Sequence, residues 1–289
     1  MANSNHPEQG SSKPYSAPQK STQGTALSKA VSVRTLQQHK QQQQKFSCIS
    51  LYDATLAALA EQQGVETVLI GDSLGMTIQG HSSTLPVTME HMIYHTEAVC
   101  RGNHKSLIIA DLPFMAYSTP EQAMVNSALL MQAGAHMVKL EGGAWLEDTV
   151  YSLSERGVPV CAHLGLTPQS VNKFGGYRVQ GRDQQQAKTI LDDAKTLSQA
   201  GADCVLLECI PAELAKKMTL AIDVPTIGIG AGKDTDAQVL VINDMIGLTP
   251  TPPKFSKNFL LENNSIAAAV AQYNNDVKAG IFPAEEHTF

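Results

Sequence analysis

The chain has 289 residues, of which 43% are apolar and 17% charged, and its formal net charge is −6. This length and composition suit one α/β domain with a large core and exclude a disordered or fibrous chain. The negative charge argues against a nucleic-acid partner, because phosphates require a basic surface. The sequence contains neither a long apolar run nor the apolar core of a secretory signal, so we expect no membrane span and no export.

The first 30 residues are rich in Ser, Gln, Lys and Pro and lack apolar periodicity. This composition predicts a disordered tail over 1–30 and a single domain over 31–289. An acid-poor, Ser-rich N-terminus is also compatible with a mitochondrial presequence, but such segments favour arginine, and only Arg34 is present. A short helix is predicted to begin near Arg34.

From Phe46 onward, short apolar runs alternate with helical segments. Glycine followed by Val or Ala recurs at positions 64, 134, 157 and 201, a pattern typical of a helix that ends before a strand. Several runs are apolar at almost every position, as in parallel strands that are covered on both faces. Eight strands are predicted, at 46–53, 66–73, 106–114, 136–141, 158–165, 204–210, 225–230 and 238–244.

Helix-capping residues precede several of the helical segments. Thr119 is followed by a proline and, three residues on, by a glutamine, which is an N-cap pattern. A second helix is predicted to begin at about Asp183, and Asp53 is best interpreted as the cap of the helix ATLAALAEQQ. The alternation predicts a (β/α)₈ TIM barrel with an N-terminal helix. An open, doubly wound sheet is the alternative, because periodicity does not show closure.

The five cysteines are scattered, mostly within apolar runs, and form no CxxC pair. This distribution indicates buried, reduced thiols in a cytoplasmic protein. The cysteines are Cys48, Cys100, Cys161, Cys204 and Cys209.

Three acids stand at the predicted C-terminal ends of consecutive strands, where the functional residues of such barrels lie. They are Asp72, Asp111 and Glu141. Each could simply cap a helix. Converging carboxylates repel one another unless a cation lies between them, however, and oxygen ligands suit Mg²⁺. We therefore predict a metal site.

Three further residues at strand ends are candidates for the chemistry. Lys139 lies two residues before Glu141, so both side chains point to one face, and Lys139 could form a salt bridge or bind an anionic substrate. Glu208 is an isolated acid after a very apolar strand, which suits a general base, although it could instead cap a helix that begins near Pro211. His163 is expected to support the site by hydrogen bonding.

Two features near the last strands are less specific. The segment GIGAG at 228–232 could bind phosphate through its main-chain N–H groups, but its glycines also suit tight turns. Asp244 could cap a helix after the eighth strand.

Long ordered motifs cover roughly residues 31–289. They are GDSLGMTIQGHSSTLPVT (71–88), ADLPFMAY (110–117), MVKLEGG (137–143), AHLGLTPQSVN (162–172), FGGYRVQGR (174–182), LLECIP (206–211), IGIGAG (227–232) and the terminal EEHTF. Together these motifs resemble the ketopantoate hydroxymethyltransferase family. The resemblance implies a TIM barrel, Mg²⁺ and a homo-oligomer, often a decamer. It also implies hydroxymethyl transfer from 5,10-methylenetetrahydrofolate to 3-methyl-2-oxobutanoate through a Mg²⁺-stabilised enolate, in pantothenate biosynthesis.

The resemblance also implies roles for individual residues. Asp72, Asp111 and Glu141 correspond to the metal-associated acids, and Glu208 corresponds to the proton acceptor. The groups that bind the keto acid correspond to Asp72, Ser73, Asp111 and Lys139.

One position departs from the family pattern, and two other functions remain open. Ala237 replaces a glycine that many relatives have, which would change the local geometry if the site required positive φ. A Mg²⁺-dependent barrel lyase or mutase that acts on another α-keto acid would share the metal acids but need no folate. A non-catalytic binding protein on the same fold would show no turnover.

Overall fold

The computed structural model describes residues 25–289, and its centre is a closed barrel of eight parallel strands. Each strand pairs with its neighbours in sequence, and β8 pairs with β1. The predicted barrel is therefore confirmed, and the open sheet is excluded. The strands are β1 (Phe46–Ser50), β2 (Thr67–Ile70), β3 (Leu107–Asp111), β4 (Met137–Glu141), β5 (Val160–Gly165), β6 (Cys204–Glu208), β7 (Thr226–Ile229) and β8 (Ala237–Val241).

Helices surround the barrel. They are α1 (Val33–Gln41), α2 (Ala54–Gln62), α3 (Leu74–Thr77), α4 (Met89–Gly102), α5 (Pro120–Gln132), α6 (Glu147–Ser154), α7 (Val171–Phe174), α8 (Gln184–Gln199), α9 (Ala212–Ala221), α10 (Ile242–Met245) and α11 (Ile266–Lys278). The helix predicted near Arg34 is α1.

Helix boundaries agree with the predicted caps and glycines. The carboxylate of Asp53 accepts hydrogen bonds from the main-chain N–H groups of Thr55 and Leu56 at 2.8 and 2.9 Å, so Asp53 caps α2. Thr119 and Asp183 cap α5 and α8 in the same way. The glycines at 64, 134, 157 and 201 all have positive φ, between 78° and 110°.

Several strands are shorter than predicted at their C-terminal ends. The segment predicted as 46–53 ends at Ser50, and the one predicted as 238–244 ends at Val241 and continues into α10. Asp244 is the third residue of α10, whose N-cap is Val241, so the interpretation of Asp244 as a cap is wrong. Its carboxylate instead accepts a hydrogen bond from the Thr249 hydroxyl. Apolar character thus continues past the last paired residue of these strands.

Apolar side chains fill both the barrel interior and the layer between strands and helices. The interior cluster includes Phe46, Leu107 and Met137, together with the thiols of Cys161 and Cys204. As expected, all five cysteines are free. The packed interior forms a floor below the C-terminal rim.

The segment 25–30 contacts the body of the protein, while residues 1–24 of the predicted tail lie outside the described residues. The Leu27 side chain packs against the interior cluster, and its carbonyl oxygen accepts a hydrogen bond from Lys105 Nζ at 2.7 Å. Next to it, the Val31 N–H donates to the Lys105 carbonyl oxygen at 2.7 Å. The ordered contacts therefore begin earlier than the predicted boundary at residue 31.

We expect a chain that begins at residue 31 to be less stable than one that begins at residue 25. Loss of the Leu27 contacts should cost about 1 kcal/mol, which lowers Tm by about 2–4 °C in a protein of this size. Activity should not change, because these contacts lie away from the C-terminal rim. Thermal unfolding followed by circular dichroism measures the difference, and identical Tm values would show that the segment contributes nothing.

Two further features of the described chain are relevant to function. Ala237 is the first residue of β8 and is fully buried, and it does not have positive φ, so alanine is accommodated there without strain. None of the helices within residues 25–289 is long and apolar enough to cross a membrane.

Candidate active site

A cavity of about 640 Å³ opens at the C-terminal rim of the barrel. It reaches from the strand ends to the loops after β2, β5 and β8. All of the residues predicted for the site line it, namely Asp72, Ser73, Asp111, Lys139, Glu141, His163 and Glu208.

Strand register brings the buried charged residues together. Asp111 pairs with Lys139 across β3 and β4, and Glu141 pairs with His163 across β4 and β5. Glu208 ends β6 beside the end of β5. Residues that are far apart in sequence therefore become lateral neighbours at one edge of the barrel.

The Lys139 ammonium lies between two carboxylates. Its Nζ is 3.0 Å from Asp111 Oδ2 and 3.6 Å from Glu141 Oε1. Burial alone would lower the pKa of Lys139, but the adjacent acids outweigh burial and raise it, so the side chain is cationic. The salt bridge anticipated for Lys139 is therefore present, and its shorter contact is with Asp111.

His163 connects two carboxylates across the rim. Its Nδ1 lies 3.2 Å from Glu141 Oε1 and 3.3 Å from Lys139 Nζ. Its Nε2 lies 3.3 Å from Glu208 Oε2, an ion-pair contact rather than an aligned hydrogen bond. Burial and Lys139 lower the pKa of His163, but the Glu141 and Glu208 carboxylates outweigh them and raise it to about 9. The two carboxylates therefore favour the protonated form of His163.

The three predicted metal acids have different surroundings. Burial, followed by the charges of Glu141 and Asp111, raises the pKa of Asp72 well above its usual value. Burial also raises the pKa of Asp111, although Lys139 opposes the change. For Glu141, burial is outweighed by the positive charges of His163 and Lys139, and its pKa is lowered. Burial and the neighbouring acids therefore disfavour the ionised forms of Asp72 and Asp111, and a cation beside them would favour those forms.

One carboxylate oxygen of the rim is free to ligate a divalent cation. Asp111 Oδ1 is buried and has no hydrogen-bond partner among residues 25–289, which leaves one carboxylate oxygen available. Both oxygens of Glu141 are engaged, one by His163 and the other by the Gln169 N–H at 3.0 Å. No group of three His, Cys, Asp or Glu side chains within the described part of the chain has the geometry of a complete metal site. Mg²⁺ commonly takes only one or two protein carboxylates and retains water, so Asp72 and Asp111 fit this ion.

Ser73 and Tyr52 lie beside these acids. The Ser73 hydroxyl is 2.8 Å from the Tyr52 hydroxyl, which in turn accepts a hydrogen bond from Ser50 at 3.3 Å. These groups form a polar wall next to Asp72. Tyr52 was not predicted as a site residue.

The capping alternative for Glu208 is not supported by the geometry. Pro211 occupies the N-cap position of α9, and no side chain caps this helix. The Glu208 side chain is 16% exposed and contacts His163 instead. Glu208 is therefore a cavity residue and not a helix cap.

The glycines of the GIGAG loop pack closely against neighbouring side chains. A Cβ atom at Gly230, where φ is 59°, would lie 3.0 Å from the rings of both Phe255 and Phe289. At Gly232 it would lie 2.5 Å from the Ala212 side chain. These glycines allow close packing at the cavity wall, which favours the turn interpretation, and the phosphate interpretation stays a prediction.

Gln169 and Tyr117 are the main site residues that the sequence analysis missed. Both belong to recognised motifs, LGLTPQ and DLPFMAY, but neither residue is an ionisable group at a strand end. Gln169 Nε2 donates to Asp72 Oδ2 at 2.8 Å, and the Tyr117 hydroxyl donates to Gln169 Oε1 at 2.5 Å.

Several solved structures have the same fold as this chain. The chain aligns with phosphonopyruvate hydrolase in complex with oxalate and Mg²⁺ at a TM-score of 0.58 and 13% identity, covering 75% of this chain and 84% of that one. It aligns with oxaloacetate acetylhydrolase at a TM-score of 0.58 and 12% identity, covering 87% and 99%. At these identities the likeness concerns the fold alone.

Sequence relatives are much closer. A sequence model described as ketopantoate hydroxymethyltransferase matches residues 30–285. The 3-methyl-2-oxobutanoate hydroxymethyltransferase of Saccharophagus degradans is 64% identical over 265 residues, covering 92% of this chain and 98% of that protein. The enzyme of the same name from Marinobacter nauticus is 59% identical over 261 residues, covering 90% and 99%. The chain therefore belongs to the ketopantoate hydroxymethyltransferase family.

Proposed function

We propose that this protein transfers a hydroxymethyl group from 5,10-methylenetetrahydrofolate to 3-methyl-2-oxobutanoate and so forms ketopantoate for pantothenate biosynthesis. One observation carries the proposal. The acids Asp72, Asp111 and Glu141, the cation Lys139 and the isolated Glu208 line a single cavity at the barrel rim, in a chain that is 64% identical to an enzyme of that name.

The keto acid would bind on the polar wall of the cavity. Lys139 supplies the positive charge for its carboxylate, and the Ser73 hydroxyl supplies a hydrogen bond. Asp72 and Asp111 would hold Mg²⁺ beside it, with Glu141 acting through water because both of its oxygens are engaged. When bound, Mg²⁺ supplies a Lewis acid that polarises the keto group and acidifies the C3–H bond.

Glu208 would then take the C3 proton. Its carboxylate lines the cavity, with Oε2 3.3 Å from His163 Nε2, and so lies where it could reach a proton of the bound keto acid. Water would release the one-carbon unit of the donor as formaldehyde, breaking both of its C–N bonds and leaving tetrahydrofolate. The enolate carbon would then add to the formaldehyde carbon, and the formaldehyde oxygen would take a proton and become the hydroxyl group of the product.

The outer part of the cavity would accommodate the folate donor. The keto acid is small relative to a cavity of about 640 Å³, and the remaining space is lined by Tyr177, Phe255 and Phe289. Aromatic faces suit the flat rings of a folate. Arg178 and Lys254 also line this region and would pair with the glutamate carboxylates of the donor.

A homo-oligomer, a decamer by family resemblance, is part of the proposal. Large apolar side chains are exposed on the barrel surface, and burial between subunits would remove them from water. Those most exposed on the α3–α6 side are Ile78, Tyr94, Met115, Val125, Trp145 and Tyr151.

A product assay tests the proposed function directly. We expect ketopantoate to form only when 3-methyl-2-oxobutanoate, methylenetetrahydrofolate and Mg²⁺ are all present, and EDTA should abolish turnover until Mg²⁺ is restored. Product is detected by mass spectrometry. Turnover of the keto acid without folate would favour a lyase or mutase, and the absence of any turnover would favour a binding protein.

A further inference from the structure

Gln169 is a buried residue that forms hydrogen bonds with groups at the ends of three strands. It lies in a 3₁₀ turn, Pro168–Ser170, after β5 and is only 6% exposed. Its Nε2 donates to Asp72 Oδ2 at 2.8 Å and to the Leu112 carbonyl oxygen at 3.0 Å. Its main-chain N–H donates to Glu141 Oε2 at 3.0 Å. Asp72 follows β2, Leu112 follows β3, and Glu141 is the last residue of β4.

The orientation of the Gln169 amide is set by its neighbours. Two acceptors face Nε2, and a hydroxyl donor, that of Tyr117, faces Oε1 at 2.5 Å. A flipped amide would place its oxygen against the Asp72 carboxylate and the Leu112 carbonyl oxygen and lose both of those bonds. The Tyr117 hydroxyl is itself held by the main-chain N–H of Glu141 at 3.3 Å. Gln169 therefore has one stable arrangement, and it controls one oxygen of Asp72.

We propose that Gln169 is a positioning residue that fixes the Asp72 carboxylate relative to Glu141, and so sets the geometry in which Asp72 and Asp111 receive a divalent cation. This inference rests on the proposed function. Among the described contacts of Asp72, the hydrogen bond from Gln169 is the one that links the end of β2 to the loop after β5. Partners that orient ligating carboxylates commonly affect metal affinity even though they do not touch the metal.

The substitution Gln169→Met isolates the side-chain contribution. Methionine keeps the length and the approximate volume but removes the amide, while the main-chain N–H to Glu141 remains. The matched control is Gln180→Met in the same loop. Gln180 is also 6% exposed and uses its amide on the Arg178 carbonyl oxygen and on Gln186, but it contacts none of the acids.

The readout is Mg²⁺ binding by isothermal titration calorimetry with 3-methyl-2-oxobutanoate present and folate absent, so that no turnover is involved. We expect Gln169→Met to raise the Kd for Mg²⁺ by about 10- to 100-fold. Gln180→Met should leave this Kd within about twofold of the parental value. Tm in EDTA should fall by similar amounts in the two variants, because each loses buried hydrogen bonds of the same kind.

Several results would overturn the proposal. If Gln169→Met folds and keeps the parental Kd while the parent forms ketopantoate, the positioning role is wrong and the proposed function stands. A parent protein that neither binds Mg²⁺ nor forms product contradicts both. Should Gln169→Met not fold, Tyr117→Phe replaces it, since loss of the hydroxyl frees Gln169 Oε1, and an unchanged Mg²⁺ Kd in that variant also contradicts the proposal.

Discussion

Replacement of Glu208 by glutamine should reduce exchange of the C3 hydrogen of 3-methyl-2-oxobutanoate by about 10²- to 10⁴-fold, the usual contribution of a general base. Glutamine keeps the shape of the side chain and still accepts a hydrogen bond, but it takes no proton at neutral pH. NMR of the keto acid in D₂O with Mg²⁺ and without folate measures exchange separately from the transfer step.

The structure also predicts what Glu208→Gln should leave unchanged. Glu208 caps no helix and its carboxylate is partly exposed, so loss of the contact with His163 should cost no more than about 1 kcal/mol of stability. Binding of the keto acid should barely change, because Lys139 and Ser73 remain. The control is Glu213→Gln, which removes an exposed acid from the first turn of α9 without touching the cavity. Undiminished exchange in folded Glu208→Gln would exclude Glu208 as the base.

The alternation of helices and strands was predictable because capping side chains and glycines mark where the helices begin and end. Glycines with positive φ do end the helices before strands, and Asp53, Thr119 and Asp183 do cap helices. Strand ends were less predictable, since apolar residues continue past the last paired residue. Closure itself depends on the pairing of β8 with β1, which has no signature in local sequence.

The candidate site was predictable in its residues but not in its contacts. Convergence of Asp72, Asp111 and Glu141 follows from their position at the ends of parallel strands. The contact between Lys139 and Asp111 depends on the β3–β4 register, which the sequence does not contain. The contact between His163 and Glu141 depends in the same way on the β4–β5 register.

Gln169 shows a second limit of sequence reasoning. It lies 97 residues from Asp72 and carries no charge, so a search for ionisable groups at strand ends passes over it. Its motif was recognisable, but only the folded chain shows that its amide meets a buried carboxylate. A search for amides within motifs that span a strand end would have found it, because AHLGLTPQSVN contains the end of β5.

Replacement of Asp72 or Asp111 by alanine should raise the Mg²⁺ concentration required for half-maximal exchange or turnover by about 10- to 100-fold, because each change removes an oxygen ligand or an orienting carboxylate. The two variants should differ in one respect. Asp111 is also the nearest partner of Lys139, at 3.0 Å, so Asp111→Ala should in addition weaken binding of the keto acid, whereas Asp72 lacks this contact.

Asp53→Ala is the matched control, since Asp53 is an acid near the same end of the barrel whose oxygen binds main-chain N–H groups at the start of α2. We expect it to lose about 1 kcal/mol of stability, as caps do, and to keep the parental Mg²⁺ titration. Titrations of activity against Mg²⁺, with Tm measured in parallel, compare the three variants. If the titration curves of Asp72→Ala and Asp111→Ala overlay the parental curve, these carboxylates bind no metal. Their role would then be limited to the salt bridge of Asp111 with Lys139 and the hydrogen bond of Asp72 with Gln169.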